Sequence, residues 1–220
     1  MSLAWDERVV PPALLEFVRC TQREAPCRLA GGAALSGVHL QHRLSRDLDL
    51  FCDDRESVRE VLSAAEKVAS ELHGELRLVR DGGSFVRAVL SLGSTQTSLD
   101  IAHEPSRPLE PRDTIAGITV DSLADLRASK LTCLLSRSEP RDLVDLYFLD
   151  RAALPPEATL SSALEKDAGL DPGILSHLLR SFPTAPLPEM LEPLTSEVLS
   201  TFREELAERF RRVSVPQSDH

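Results

Sequence analysis

Residues 29–51 read LAGGAALSGVHLQHRLSRDLDLF, and this stretch decides the fold class. A short apolar segment over 27–30 ends at the glycine pair 31–32, and a helical pattern over 33–41 follows. The segment 46–51 then alternates polar and apolar residues, which is the period of a β-strand. A strand that runs through glycines into a helix and returns as a strand is typical of a mixed α/β sheet.

The glycines and acids of this stretch predict a site for phosphate and metal. Gly31 and Gly32 let the backbone approach a ligand closely, and the start of a helix offers free N–H groups with partial positive charge. Asp47 and Asp49 are two residues apart on the predicted strand, so their carboxylates project from the same face. Such a pair can hold the Mg²⁺ or Mn²⁺ of a phosphoryl transfer. The alternatives are a tight turn for the glycines and the solvent-exposed face of an edge strand for the aspartates. Arg43 and Ser45 lie between the glycines and the aspartates and belong to the same candidate site.

A third acid, Asp100, lies between Leu99 and Ile101 in a predicted strand over 97–103. An acid among apolar residues is costly unless it is paired or coordinates a metal. If this strand neighbours 46–51, we expect Asp100 to complete the metal site or to act as general base on an attacking hydroxyl. The alternative is that the side chain simply faces water.

The surrounding pattern predicts two domains. The pattern predicts helices over 13–23 and 56–72 and two further strands over 74–80 and 84–92. With these strands the sheet is partly antiparallel and has about four to five strands. Twelve of the fifteen prolines follow residue 104. The later pattern indicates helices over 121–137, 140–150, 159–168, 173–182 and 195–212. We therefore expect an α/β domain over 1–110 and a helical domain over 111–220.

The helical half contains a second charged cluster. Lys130 and Arg137 are seven residues apart and share one helix face, from which a pair of cations could grip the phosphates of a nucleotide. Asp142 and Asp145, three apart, share a face of the next helix. The alternatives are a solvated face for the cations and a favourable position in the first helical turn for Asp142.

Composition limits the classes of function. No apolar run approaches the roughly 18 residues of a membrane span, and the first ten residues lack the order of a signal peptide. We therefore expect a cytoplasmic protein with reduced cysteines. A net charge of −10 and 4% aromatic residues argue against wholesale binding of nucleic acid, although a local basic groove is compatible with both. The segment 202–212, FREELAERFRR, is one candidate, but a charge-paired surface helix is the stronger interpretation.

Two blocks together resemble a known family. The run at 29–51 and the run SKLTCLLSRSEPRDLVDLYFL at 129–149 resemble the AbiEii/AbiGii toxin family of nucleotidyltransferases, within the DNA polymerase β-like nucleotidyltransferase superfamily. The resemblance implies a polymerase β-like α/β domain with flanking helices, followed by a helical domain, with Mg²⁺ and a nucleoside triphosphate bound between them. It also implies residue roles. Gly31, Gly32 and Ser45 would contact phosphates, Asp47 and Asp49 would bind metal, Lys130 would bind the triphosphate, and Asp142 or Asp145 would complete the site.

The resemblance implies transfer of a nucleoside monophosphate from a triphosphate to an acceptor hydroxyl. Members of the family that act as toxins modify RNA, in some cases the 3′ end of tRNA, so RNA is one expected acceptor and an antitoxin one expected partner. One departure is Ala33, where many superfamily members carry a hydroxyl residue. Two other hypotheses stay open: a nucleotide-binding sensor or partner module without catalysis, and transfer to a protein or small-molecule acceptor.

Overall fold

A computed structural model describes residues 3–214 of the 220-residue chain. The chain divides into two compact units between Leu123 and Ala124. The first unit contains a seven-stranded mixed sheet with the strand order β3-β4-β5-β2-β1-β7-β6. Its strands are β1 (Arg28–Ala30), β2 (Asp47–Cys52), β3 (Glu75–Asp81), β4 (Phe85–Leu92), β5 (Thr95–His103), β6 (Asp113–Ile115) and β7 (Ile118–Val120).

The first unit also contains helices that pack against this sheet. They are α1 (Pro12–Glu24), α2 (Gly31–Ala34), which continues as a π-helix over Leu35–Leu40, and α3 (Ser57–Glu71). The alternation of β4 buries Val86, Ala88 and Leu90 completely, while the intervening residues are wholly or partly exposed. The apolar stripe of α3 packs on the buried side of β4 and β5. The opposite side of these strands is therefore the polar side of the sheet.

Strand pairing places β2 between β1 and β5, antiparallel to the first and parallel to the second. The strands β3, β4 and β5 form an antiparallel meander. Every strand and helix predicted up to residue 103 is present within a few residues of its expected position. The mixed α/β fold class is thus confirmed.

The predicted count of four to five strands is wrong, because the sheet has two more strands, β6 and β7. Each has three residues, too few for alternation to show in the sequence. They pair with each other, and β7 pairs with β1, so residues 113–120 belong to the sheet of the first unit rather than to a helical segment.

The second unit is helical. Its helices are α4 (Leu123–Ser136), α5 (Pro140–Arg151), α6 (Leu160–Lys166), α7 (Pro172–Leu179) and α8 (Ser196–Ser214), with a 3-10 turn at Pro156–Thr159. The longest helix, α8, buries Leu199, Phe202, Leu206 and Phe210 at helical spacing and packs against α5 and α7. No helix in the described range 3–214 is both long enough and apolar enough to cross a membrane.

Candidate functional site

Two aspartates stand on the polar side of β2. Leu48, Leu50 and Cys52 are buried on one side of this strand, whereas Asp47 and Asp49 lie half-buried on the other. The pleat of the strand enforces this separation, because successive side chains point to opposite faces. The predicted common face for the two carboxylates is confirmed.

Asp100 lies directly beside them. The parallel pairing of β2 with β5 sets Asp49 opposite Asp100, and the antiparallel pairing of β5 with β4 sets Asp100 opposite Arg87. Arg87 donates from Nε to Oδ1 of Asp100 at 2.7 Å and from Nη2 to Oδ2 at 2.6 Å. Asp100 is 8% exposed, so its carboxylate is nearly buried and fully paired. The alternative prediction, that the side chain of Asp100 simply faces water, is therefore wrong.

Arg87 is a site residue that the sequence analysis missed. Its hydrogen bonds to Asp100 raise the pKa of the guanidinium, and the charges of Asp47 and Asp49 raise it further. All three acids therefore act electrostatically on this one cation. The signal that could have found it is alternation, since Arg87 is the exposed polar residue between Val86 and Ala88.

The glycine pair opens the helix that follows β1, so the interpretation as a simple turn is wrong. Gly31 has φ +63°, and a Cβ there would lie 1.9 Å from Oδ2 of Asp49. A Cβ on Gly32 would lie 2.8 Å from Nη2 of Arg43 and 3.1 Å from Oγ of Ser45. The absence of side chains at this corner thus leaves space beside a carboxylate, a guanidinium and a hydroxyl. No side chain caps the start of this helix.

The donor set suits a divalent cation chemically, because aspartate oxygens are the ligands that Mg²⁺ and Mn²⁺ prefer. Two of the three carboxylates share the half-buried face of β2. Both oxygens of the third, Asp100, accept hydrogen bonds from Arg87. In agreement with this pairing, residues 3–214 contain no group of three His, Cys, Asp or Glu side chains already arranged around one metal position.

The charged cluster of the second unit is buried. Nζ of Lys130 lies 2.8 Å from Oδ2 of Asp145 and 3.2 Å from Oδ1 of Asp142. Arg137 donates to both oxygens of Asp142, at 2.7 and 2.9 Å. The side chains of the two acids are 0% exposed, that of Lys130 is 4% and that of Arg137 is 37%. A solvated face is therefore wrong for Lys130, and all four predicted residues meet in one network.

Neighbouring groups keep Arg137 charged. Burial by itself lowers the pKa of this guanidinium and is the largest single effect, but the hydrogen bond to Asp142 and the nearby charges of Asp142 and Glu139 together outweigh it and raise the pKa. Arg137 is therefore a permanent cation that remains partly open to solvent. Asp142 does lie in the first turn of α5, so its position also suits the helix dipole.

The arginines of 202–212 are engaged with acids. Arg211 and Arg212 donate to Glu208, and Arg209 pairs with Asp150 at 2.8 Å. Arg203 pairs with Glu204. The interpretation of this segment as a charge-paired surface helix is confirmed.

A different basic surface adjoins the acids. Arg77 and Arg80 on β3 stand opposite Val89 and Arg87 on β4, so they share the polar side of the sheet. The ring of Phe85 lies 6.0 Å from the guanidinium of Arg80 and 5.6 Å from that of Arg87. We call Arg77, Arg80, Arg87 and Phe85 the basic strip. It is continuous with Asp100 through the Arg87 pair.

Comparisons with known proteins give one family and several related folds. The family model described as "Nucleotidyl transferase AbiEii toxin, Type IV TA system" matches residues 14–219. No curated protein sequence matches the chain. MenT4, a nucleotidyltransferase toxin from Mycobacterium tuberculosis H37Rv, is 17% identical, with a TM-score of 0.62 over 92% of this chain and 87% of that one. JHP933 from Helicobacter pylori is 18% identical, with a TM-score of 0.58 over 96% of this chain and 94% of that one. These structural similarities show that the fold is shared.

Proposed function

The chain belongs to the AbiEii family of nucleotidyltransferase toxins, and from this premise we propose that it transfers a nucleoside monophosphate from a nucleoside triphosphate to a hydroxyl of an RNA acceptor. The observation that carries the proposal is the meeting of Gly31 with the carboxylate of Asp49. A phosphate-binding helix start and a metal-binding carboxylate need such proximity to act on one nucleotide.

The glycine corner is our proposed triphosphate site. The uncapped helix start at Gly31 and Gly32 presents backbone N–H groups to an anion. Arg43 and Ser45 lie beside Gly32 and add a fixed cation and a hydroxyl. The guanidinium of Arg43 also donates to the carbonyl oxygen of Leu44 at 2.9 Å, which restrains its direction.

The carboxylates explain why a metal is needed. A triphosphate placed beside Asp47 and Asp49 would be repelled by their negative charges. We propose that these two residues and Asp100 hold Mg²⁺ or Mn²⁺, which supplies charge neutralisation of the phosphates when bound. The protein's own part is to align the acceptor hydroxyl with the α-phosphorus and to keep the leaving pyrophosphate on the glycine corner.

In the second unit we propose Lys130 and Arg137 as triphosphate-binding cations. Asp142 and Asp145 would then be positioning residues that hold the two cations in place, since buried charges persist only when paired. Of the two cations, Arg137 has the greater exposure and is the better candidate for direct contact with a phosphate.

The basic strip supports RNA as the acceptor. Clustered arginines beside an aromatic ring are suited to the backbone and bases of single-stranded nucleic acid. The chain carries a net charge of −10, so these exposed cations form a local exception to its acidic surface. The description of the family as part of a type IV toxin–antitoxin system supports an antitoxin counterpart in the same cell.

The test is to incubate the protein with each labelled nucleoside triphosphate, Mg²⁺ and separate RNA, protein and small-molecule fractions of a cell extract. We expect label on RNA with release of pyrophosphate. Asp47→Asn and Asp49→Asn should lower transfer roughly 100-fold or more, because charge neutralisation is the main catalytic contribution. Glu75→Gln, which removes an exposed acid of β3, is the matched control and should retain activity.

Two results would contradict the proposal in different ways. Label on protein or on a small molecule would refute RNA as the acceptor but would still support nucleotide transfer as the reaction. Undiminished transfer by Asp47→Asn and Asp49→Asn would refute the catalytic site itself.

A further inference from the structure

Arg87 occupies the place at Asp100 that the proposed function assigns to a metal ion. Its planar guanidinium matches the two carboxylate oxygens one to one, at 2.7 and 2.6 Å. A carboxylate held in this way has both oxygens committed to a cation. A divalent ion and Arg87 therefore compete for the same ligand.

We propose that Arg87 is a positioning residue that holds Asp100 in the metal-free enzyme, gives it up when the divalent cation binds, and so sets the metal affinity of the site. The inference rests on the proposed function, because it takes Asp47, Asp49 and Asp100 as the metal ligands. It assigns a role to a residue on β4, outside the two sequence blocks at 29–51 and 129–149.

Electrostatics explain why the metal-free site needs an internal cation. Asp49 and Asp100 face each other across adjacent strands, and like charges directly opposite destabilise a sheet. Asp100 is also nearly buried, where an unpaired carboxylate is costly. Arg87 relieves both effects while no metal is bound.

The position of Arg87 also permits its release. Its strand is fixed by pairing on both sides, with β3 and with β5, so the exchange involves the side chain alone. That side chain is 51% exposed, and the pair is therefore partly screened by solvent. The ring of Phe85, 5.6 Å from the guanidinium, offers a cation–π contact that does not depend on Asp100.

The decisive experiment measures binding of Mn²⁺ alone, without nucleotide, by the electron paramagnetic resonance signal of the free ion. Arg87→Met removes the charge and the donors but keeps the length of the side chain. We expect it to bind Mn²⁺ about fivefold more tightly than the parent, the upper range for a half-exposed ion pair. Arg87→Lys, which keeps the charge without the planar pair of donors, should fall between them.

Arg59→Met is the matched control. Arg59 makes a similar two-bonded pair with Asp81, at 2.5 and 2.8 Å, and its side chain is 55% exposed. Its loss changes the net charge by the same amount at a site outside the acid cluster. Mn²⁺ affinity should therefore match that of the parent within about twofold.

Thermal unfolding gives a second readout that does not require catalysis. A ligand that binds only the folded state raises the melting temperature more when it binds more tightly. Mn²⁺ should therefore raise the melting temperature of Arg87→Met more than that of the parent, even if the metal-free variant is less stable.

The outcomes separate the inference from the proposed function. If the parent binds Mn²⁺ and Asp47→Asn abolishes that binding, but Arg87→Met binds no more tightly than Arg59→Met, the role of Arg87 is refuted and the metal site stands. If the parent shows no Mn²⁺ binding that depends on Asp47, the metal site fails and the inference fails with it.

Discussion

At Gly31 the identity of one residue controls the geometry of another. The backbone there has φ +63°, and a Cβ atom would overlap the carboxylate of Asp49 at 1.9 Å. Glycine is therefore required for two reasons: it adopts a positive φ without strain, and it leaves space for the carboxylate of Asp49. At Gly93 only the first requirement holds, since φ is +57° and nothing lies within 4 Å of a Cβ built there.

This pair makes a residue-scale prediction. Gly93→Ala should cost about 1 kcal/mol of the free energy of unfolding, from backbone strain alone. Gly31→Ala should cost at least about 2 kcal/mol and should also displace Asp49 and abolish nucleotide transfer. Urea unfolding and a transfer assay measure the two effects. Equal behaviour of the two variants would contradict the role given to the glycine corner.

His39 supports a second prediction at this scale. Burial lowers the pKa of this imidazole below its ordinary 6.5, although the charge of Asp113 raises it somewhat, and Nε2 is buried without a hydrogen-bond partner. Well above pH 6.5 neither the folded nor the unfolded chain binds a proton here. As the pH falls below 6.5, the unfolded chain binds the proton first, so the contribution of His39 to stability is lost.

Urea unfolding at pH 7.5 and pH 5.5 measures this loss. His39→Asn should reduce the fall in unfolding free energy between the two values, relative to the parent. His177→Asn changes an exposed histidine of α7 and is the control. A parent and a His39→Asn variant with identical pH dependence would contradict the prediction.

At the scale of elements, two arginine-rich segments differ in what surrounds them. On α8, Arg211 and Arg212 face Glu208 one turn away and lower its pKa to about 2 through their hydrogen bonds. On β3, Arg77 and Arg80 stand on a strand that is exposed along most of its length. This segment adjoins Asp100 through the cross-strand neighbour Arg87.

We therefore predict different effects on RNA. Arg80→Gln should raise the KM for an RNA acceptor several-fold. It should also lower the slope of log KM against log salt concentration by about one, the change expected for the loss of one phosphate contact. Arg212→Gln should change neither quantity, because this side chain is paired with Glu208. The measurement is the KM for RNA at several salt concentrations. A larger effect for Arg212→Gln would move the acceptor surface to α8.

At the scale of the whole molecule, the sheet is tied together at the end away from the site. Arg28 on β1 is 3% exposed and pairs with three acids from other parts of the first unit. They are Asp53 after β2, Glu104 after β5 and Asp121 after β7. One guanidinium thus links four strands of the sheet.

Arg28→Met should consequently destabilise the fold by about 3 kcal/mol, because it removes the cation that pairs with the buried carboxylate of Asp121 and the largely buried carboxylate of Glu104. The glycine corner lies at the other end of β1, so the transfer rate per folded molecule should be retained. Urea unfolding and activity at low temperature test the two statements. A variant of normal stability would show that Arg112, which also pairs with Asp53, suffices to hold this end.

Much of the fold could be predicted because local patterns follow from backbone geometry. The stripes of α1, α3 and α8 and the alternation of β2 and β4 express periods of 3.6 and 2 within single elements. The strands β6 and β7 could not be predicted, because three residues are too few to show alternation and because β7 joins the sheet by pairing with β1, which is distant in the sequence. For the site, the motifs predicted Gly31, Asp47 and Asp49 directly, and the alternation that could have indicated Arg87 did not specify its partner.

The amino-acid sequence by itself determined most of the elements, the family and the common face of Asp47 and Asp49, since each is encoded in patterns within short segments of the chain. Only the tertiary structure decided that β5 lies beside β2, that Arg87 closes on Asp100, and that Lys130 is buried between two acids. The physical reason is that strand order, register and burial depend on contacts between segments far apart in the sequence. Local periodicity determines on which face of a strand or helix a side chain lies, and long-range packing determines which residues contact that face.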